Sequence, residues 1–242
     1  MRGAGEGGSR GPPHPSRLGY NAGLMDFSLA TIVLWAVPVV FAITLHEAAH
    51  GYVARLFGDQ TAWMLGRVTL NPIKHVDPVG TLLVPGALFL IAKVTGAPLF
   101  IFGWAKPVPV NFGNLRNPKR DMFWVAGAGP FANFAMAIAW AVVFKLALPD
   151  GVLASEGIRE MGFAGIQVNL MLMALNLLPI LPLDGGRIAV SLLPHSLAVR
   201  YAGLERYGFM IVILLLATGV LGHLMAPLVA GGLFALRAIV GL

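Results

Sequence analysis

Two imidazoles and a carboxylate stand together in Thr44-Leu45-His46-Glu47-Ala48-Ala49-His50-Gly51, inside an apolar run from Phe27 to Phe57. On a helix, residues four apart stack on one face, so His46 and His50 can turn two ring nitrogens toward one metal ion with Glu47 beside them. This H-E-x-x-H spacing is that of zinc hydrolases, in which the glutamate acts as general base. Two histidines leave a tetrahedral zinc short of protein ligands, so a third donor must come from elsewhere while one position stays open for water. Cysteine is absent, which excludes thiolate ligands and a thiol nucleophile and leaves His, Asp and Glu to carry a metal.

The elements that must position these groups are those of a membrane protein. Of 242 residues, 57% are hydrophobic and 12% charged, and the mean hydropathy is +0.77, too apolar for a soluble domain of this length. The net charge of +6 comes from 17 Lys+Arg against 11 Asp+Glu. In such a chain basic residues sit in loops and set orientation, so nucleic-acid binding is a poor reading of it.

Residues 1–24 are rich in Gly, Pro, Ser and Arg and are expected to be a disordered extension, with Met25 an alternative start. No secretory signal is expected, because no apolar stretch begins before Phe27. The remainder, 25–242, reads as a single membrane domain. Phe27–Phe57 makes a helix of about 45 Å, with a kink expected at Pro38. Val79–Trp104 is interrupted by Pro85, Gly86, Lys93, Gly96 and Pro98 and could be a span or a re-entrant hairpin. Gly103–Val110 should be extended, because Pro107 and Pro109 alternate in it, with Trp104 and Lys106 as interface anchors. Met122–Leu148, Phe163–Leu181 and Tyr207–Leu224 are expected spans, and Ala226–Leu242 a short one. Pro149–Gly162 reads as a polar loop. The fold class is therefore all-α and polytopic, with five to six transmembrane helices.

Few ionisable groups fall within or at the edge of these spans: chiefly His46, Glu47, His50, Lys93, Asp184 and His223. Charge in a membrane is costly and is usually paired or functional, which makes Asp184 the leading third ligand. Read alone, Asp184 would be a helix cap, and His46, Glu47 and His50 a polar packing cluster. Asn133, on a helix with Gly129, could equally be interhelical glue. His75 reads as a solvated loop residue, with a role beside the metal as the alternative.

Three motifs carry a resemblance: His46-Glu47-Ala48-Ala49-His50, then Gly129-Pro130-Phe131-Ala132-Asn133, then Asn176-Leu177-Leu178-Pro179-Ile180-Leu181-Pro182-Leu183-Asp184-Gly185. In this order they resemble the site-2 protease family of intramembrane zinc metalloproteases (peptidase family M50), over about Phe27–Arg187. Gly103–Val110 further resembles a compact branch of that family without PDZ or CBS domains. The resemblance implies one zinc per chain held by His46, His50 and Asp184, Glu47 as general base, and Asn133 as an active-site amide for substrate or the reacting carbonyl. It implies a transmembrane-helix substrate, a prokaryotic cell membrane and an active site toward the cytoplasm. That geometry favours a re-entrant hairpin at about 79–104, whose unpaired edge would accept an unwound substrate as an added strand, a reading motivated by the proline-spaced Lys106–Val110 segment. The competing readings are a metal or proton transporter built from the same four residues, and a catalytically silent scaffold.

Overall fold

The computed structural model describes residues 29–95, 103 and 105–242; the expectations for residues 1–24 and for Trp104 lie outside them. No strand occurs among the described residues. The chain forms α1 (Leu29–Leu56), α2 (Thr61–Met64), α3 (Val84–Thr95), α4 (Pro118–Leu146), α5 (Glu156–Leu177), α6 (Asp184–Leu192), α7 (His195–Ala202), α8 (Glu205–Ala217) and α9 (Val220–Val240). Three of these, Val33–Leu56 within α1, α4 and α9, are long and apolar enough to cross a membrane.

Helix α1 runs through Pro38 without interruption. Its buried stripe advances four residues at a time through Pro38, Ala42, His46, His50 and Ala54, whereas Phe41 and Tyr52 are more than half exposed. Large apolar groups outside and small or polar ones inside invert the pattern of a soluble helix and suit a lipid surround. Helix α4 repeats the design with Asp121, Val125, Gly129, Asn133, Ala137 and Ala141 buried along one side. Small residues let the helices approach closely: a Cβ on Gly162 of α5 would lie 2.9 Å from the Phe144 backbone of α4. Further along the same seam, Ala137 and Ala141 pack with Ile166, Leu170 and Met173 of α5 and Leu236 of α9.

Cross-helix contacts fix directions. His50 meets Val125 and His46 meets Asn133, so α4 runs antiparallel to α1. Asn133 meets Asn169 while Phe144 lies against Gly162, so α5 is antiparallel to α4 and parallel to α1. Arg116 N–H donates to Phe57 O at 2.9 Å. The connection 58–115 therefore leaves α1 and returns to the same level before α4 starts.

Several element boundaries differ from those read in the sequence. Helix α5 begins at Glu156, inside the expected polar loop. The Glu156 carboxylate stands in the first turn, where it complements the helix dipole, and it pairs with Arg159 one turn on. Pro85 and Gly86 do not break their stretch: a π-helical turn, Pro78–Leu83, leads directly into α3, and Pro85 stands in the first turn, where its missing N–H costs little. The run Tyr207–Leu224 is not one span. Gly219 adopts φ 74° and ends the helix there, leaving α8 with 13 residues, about 20 Å long and too short to cross alone.

Candidate metal centre

Helix α1 brings His46 and His50 to its buried face one turn apart, 7% and 8% exposed. Asp184 arrives from the other end of the sequence, at the first position of α6. The loop before it doubles back tightly: a Cβ on Gly185 would lie 2.4 Å from the carbonyl oxygens of Leu177 and Leu178, and one on Gly186 2.5 Å from Leu181 N. Only glycine permits that return, which lays the Asp184 carboxylate against α1. Behind the loop, Gly208 of α8 faces the Leu181 carbonyl, Arg187 pairs with Glu205, and the Tyr201 hydroxyl donates to Pro179 O.

The three groups converge on one point. His46 Nε2 and His50 Nε2 are 3.1 Å apart, and Asp184 Oδ2 lies 3.2 Å from the first and 3.3 Å from the second. His46 Nδ1 contacts Asn133 Oδ1 at 2.6 Å and His50 Nδ1 contacts the Val125 carbonyl at 2.7 Å. A neutral ring in either contact carries its single N–H on Nδ1 and presents a lone pair at Nε2. In that state Asp184 Oδ2, buried at the same point, is left without a hydrogen-bond donor. Three mutually repelling lone pairs need a cation among them. Bonds of about 2.0–2.1 Å at tetrahedral angles place ligand atoms about 3.3–3.4 Å apart, close to the edges observed. Gly129 keeps the space clear, since its Cβ would lie 2.4 Å from His50 Nε2 and 2.6 Å from His46 Nε2. Among the described residues no other His, Cys, Asp or Glu cluster has this form.

Glu47 follows His46 and turns off the histidine stripe. Its Oε2 accepts the Val108 N–H at 2.6 Å. The segment carrying Val108 is tied down: Lys106 N–H donates to His75 O at 2.9 Å, Arg67 donates to the Lys106 and Pro107 carbonyls at 2.9 and 3.3 Å, and Asn111 N–H donates to Asp59 at 2.7 Å. The N–H groups of Lys106 and Val108 and the carbonyls of Lys106 and Pro107 are thus engaged by the protein itself.

Asn133 is fully buried, and both hydrogens of its amide are engaged, with Ala42 O at 3.3 Å and Asn169 Oδ1 at 3.0 Å. It stands behind His46 with no donor left for a substrate. His75 is not solvated: it is 2% exposed, its Nε2 reaches Thr69 O at 3.0 Å, and it is not grouped with His46, His50 and Asp184. Gly129, Val108 and Asn169 had no assigned part in the site from sequence; the signal available was an asparagine within an apolar helix, where polar groups are costly.

The chain is 36% identical over 210 residues to "Putative zinc metalloprotease YwhC" of Bacillus subtilis (strain 168), covering 85% of this chain and 90% of that protein. It is 31% identical over 186 residues to a protein similarly named, Rip2, of Mycolicibacterium smegmatis, covering 76% and 66% respectively. A third such relative, from the archaeon Methanocaldococcus jannaschii, is 26% identical over 166 residues, covering 67% and 72%. The profile of peptidase family M50 matches residues 142–218, which include Asp184. No solved structure matches the chain. The chain is thus similar to proteins named putative zinc metalloproteases, and it carries helices long and apolar enough to cross a membrane. The chain belongs to peptidase family M50, the site-2 protease family.

Proposed function

We propose that this chain is an intramembrane zinc metalloprotease that hydrolyses peptide bonds within transmembrane segments of membrane-bound substrates. The observation that carries the reading is the close triangle of His46 Nε2, His50 Nε2 and Asp184 Oδ2 inside helices whose outer faces are apolar. These three residues would hold one zinc ion. Bound there, zinc supplies Lewis acidity, lowering the pKa of water toward about 7 and polarising a carbonyl. Glu47 takes the proton of the attacking water and returns it to the leaving amide nitrogen. Val108 N–H holds one oxygen of that carboxylate, leaving the other for the proton. Asn133 acts on His46 rather than on substrate.

Residues 25–242 are proposed to form one protease domain, in which α5 also crosses the bilayer and the stretch at about 79–104 enters and leaves on the same side. The return of the chain from Phe57 to Arg116 supports this, because a single crossing would separate them. Arg67, Lys74, Lys106, Arg116, Lys119 and Arg120 then share the side of Arg187, Arg200 and Arg206, which the positive-inside rule makes cytoplasmic. The metal centre lies toward that side.

The test is to purify the wild type and Glu47→Gln in detergent, quantify zinc per chain and follow cleavage of a transmembrane-helix substrate. One zinc in both proteins, with cleavage by the wild type alone and its loss on chelation, is the expected result. A wild type without zinc, or cleavage by Glu47→Gln, would overturn the reading.

A further inference from the structure

Three helices are joined by one directed chain of hydrogen bonds. Asn169 Nδ2 donates to the Gly165 carbonyl at 2.8 Å. Its Oδ1 therefore faces the other way and accepts from Asn133 Nδ2 at 3.0 Å. Asn133 in turn presents Oδ1 to His46 Nδ1 at 2.6 Å. The asparagines are both 0% exposed, so water cannot substitute for any partner. The backbone carbonyl of Gly165 cannot reverse its polarity, and it sets the sense of every link after it.

We propose that Asn169 is a positioning residue of the metal centre: acting through Asn133, it holds His46 in the tautomer that is protonated on Nδ1 and open on Nε2. The proposal rests on the metal-centre reading above. Its physical basis is a competition. Without metal, His46 has a second arrangement available, with its hydrogen on Nε2 and directed at Asp184 Oδ2, 3.2 Å away. That arrangement consumes the lone pair a metal needs, and it requires Asn133 to turn its NH2 toward Nδ1. Ala42 O opposes the turn through a long contact of 3.3 Å. Asn169 opposes it through the shorter one, because a reversed Asn133 would set its oxygen against the oxygen of Asn169. The relay therefore prevents His46 and Asp184 from closing on each other.

Neither helix-packing chemistry nor space alone demands this pair. The neighbours of Asn169 on α5 are Ile166, Leu170 and Met173, all buried and apolar, and a leucine of similar volume would extend that packing. An amide is retained there at the expense of an apolar contact, which fits a directional role.

The experiment uses the full chain labelled with 15N in its histidine rings, in detergent, with His46→Gln as the assignment control. In metal-free wild type, His46 is expected to show a protonated Nδ1 and an unprotonated Nε2. In Asn169→Leu the His46 signals should move toward the Nε2-protonated form, and zinc affinity by chelator competition should fall about 10- to 100-fold, the usual effect of losing a partner behind a ligand. Asn169→Asp, neutral when buried in this apolar surround, keeps a carbonyl acceptor for Asn133 and should restore both readouts. A wild-type His46 protonated on Nε2 would overturn the proposal, as would a folded Asn169→Leu protein with the wild-type tautomer and zinc affinity. Should Asn169→Leu not fold, Asn169→Ala is read by the same two measurements. If the wild type binds no zinc, the metal-centre reading fails, while the His46 tautomer with and without Asn169 still decides the relay.

Discussion

The backbone N–H of Val108 donates to Oε2 of Glu47 at 2.6 Å, tying the general base proposed on α1 to a segment 61 residues further along the chain. The base is thus held by a strap that is itself anchored at Lys106 and Asn111. Replacing Val108 by proline removes the donor without adding a charge. A hydrogen bond to a charged group contributes about 1.5–3 kcal/mol, so Val108→Pro is expected to lower the cleavage rate about 10- to 100-fold. Zinc content should be unchanged, and Val108→Ala, which keeps the N–H, should cleave nearly as wild type. Steady-state cleavage with metal quantification checks this.

Gly129 leaves room before the two histidines. In Gly129→Ala the new methyl carbon would stand 2.4 Å from His50 Nε2, so a ring must turn away and zinc affinity should drop at least about 10-fold. Alanine is the better helix former by about 1 kcal/mol. Overpacking against two buried rings costs about 1–3 kcal/mol and offsets that gain, so the metal-free variant should stay folded and melt at or slightly below the wild type, separating a lost site from a lost fold. Chelator competition and a thermal melt on the same sample give both numbers.

Gly208 abuts the loop that carries Asp184. A Cβ there would lie 1.6 Å from the Leu181 carbonyl oxygen, a backbone atom that cannot swing aside, so α8 must shift. Gly208→Ala is expected to cost about 1–3 kcal/mol of stability, as overpacking does, and to weaken zinc binding through displacement of Asp184. Unchanged melting and unchanged zinc affinity would show that α8 is not part of the support for this loop.

Asp59 lies just beyond α1, outside the apolar span, with no exposed surface. Burial pushes its carboxyl upward, but hydrogen bonds from Thr61, Asn111 and Asn114 outweigh that and hold it below its ordinary value of 3.8. A depressed pKa means stability that is present above pH 3.8 and is lost as pH falls through the lower, folded-state value. The wild type should lose thermal stability on acidification in that window, and Asp59→Asn should show a lower melting temperature at pH 7 with a smaller decline toward acid.

The chemistry was more legible in the sequence than the support beneath it. His46, Glu47 and His50 declare themselves because four-residue spacing is a property of a single helix. Asp184 stands out because a carboxylate beside apolar spans is expensive. The orientation of Asn133 was not readable: one residue type serves a substrate, a neighbouring helix or a ligand equally well, and the choice depends on Ala42 and Asn169 on two other helices. The break at Gly219 was hidden for a related reason, since hydropathy is continuous across it while the turn is written only in a backbone angle. His75 is buried with its Nε2 at Thr69 O and its carbonyl accepting from Lys106, contacts that local polarity does not report.

The proposed ligand set is split between α1 and the start of α6, and this imposes an order on biosynthesis. His46 and His50 leave the ribosome first, and the helices α4 and α5 must emerge before Asp184 can follow. A nascent or truncated chain carries a histidine pair with no third donor, and therefore no tightly held ion. Hydrolytic capacity is withheld until the membrane-embedded scaffold is nearly whole, so an unfinished copy poses little danger to its neighbours in the bilayer.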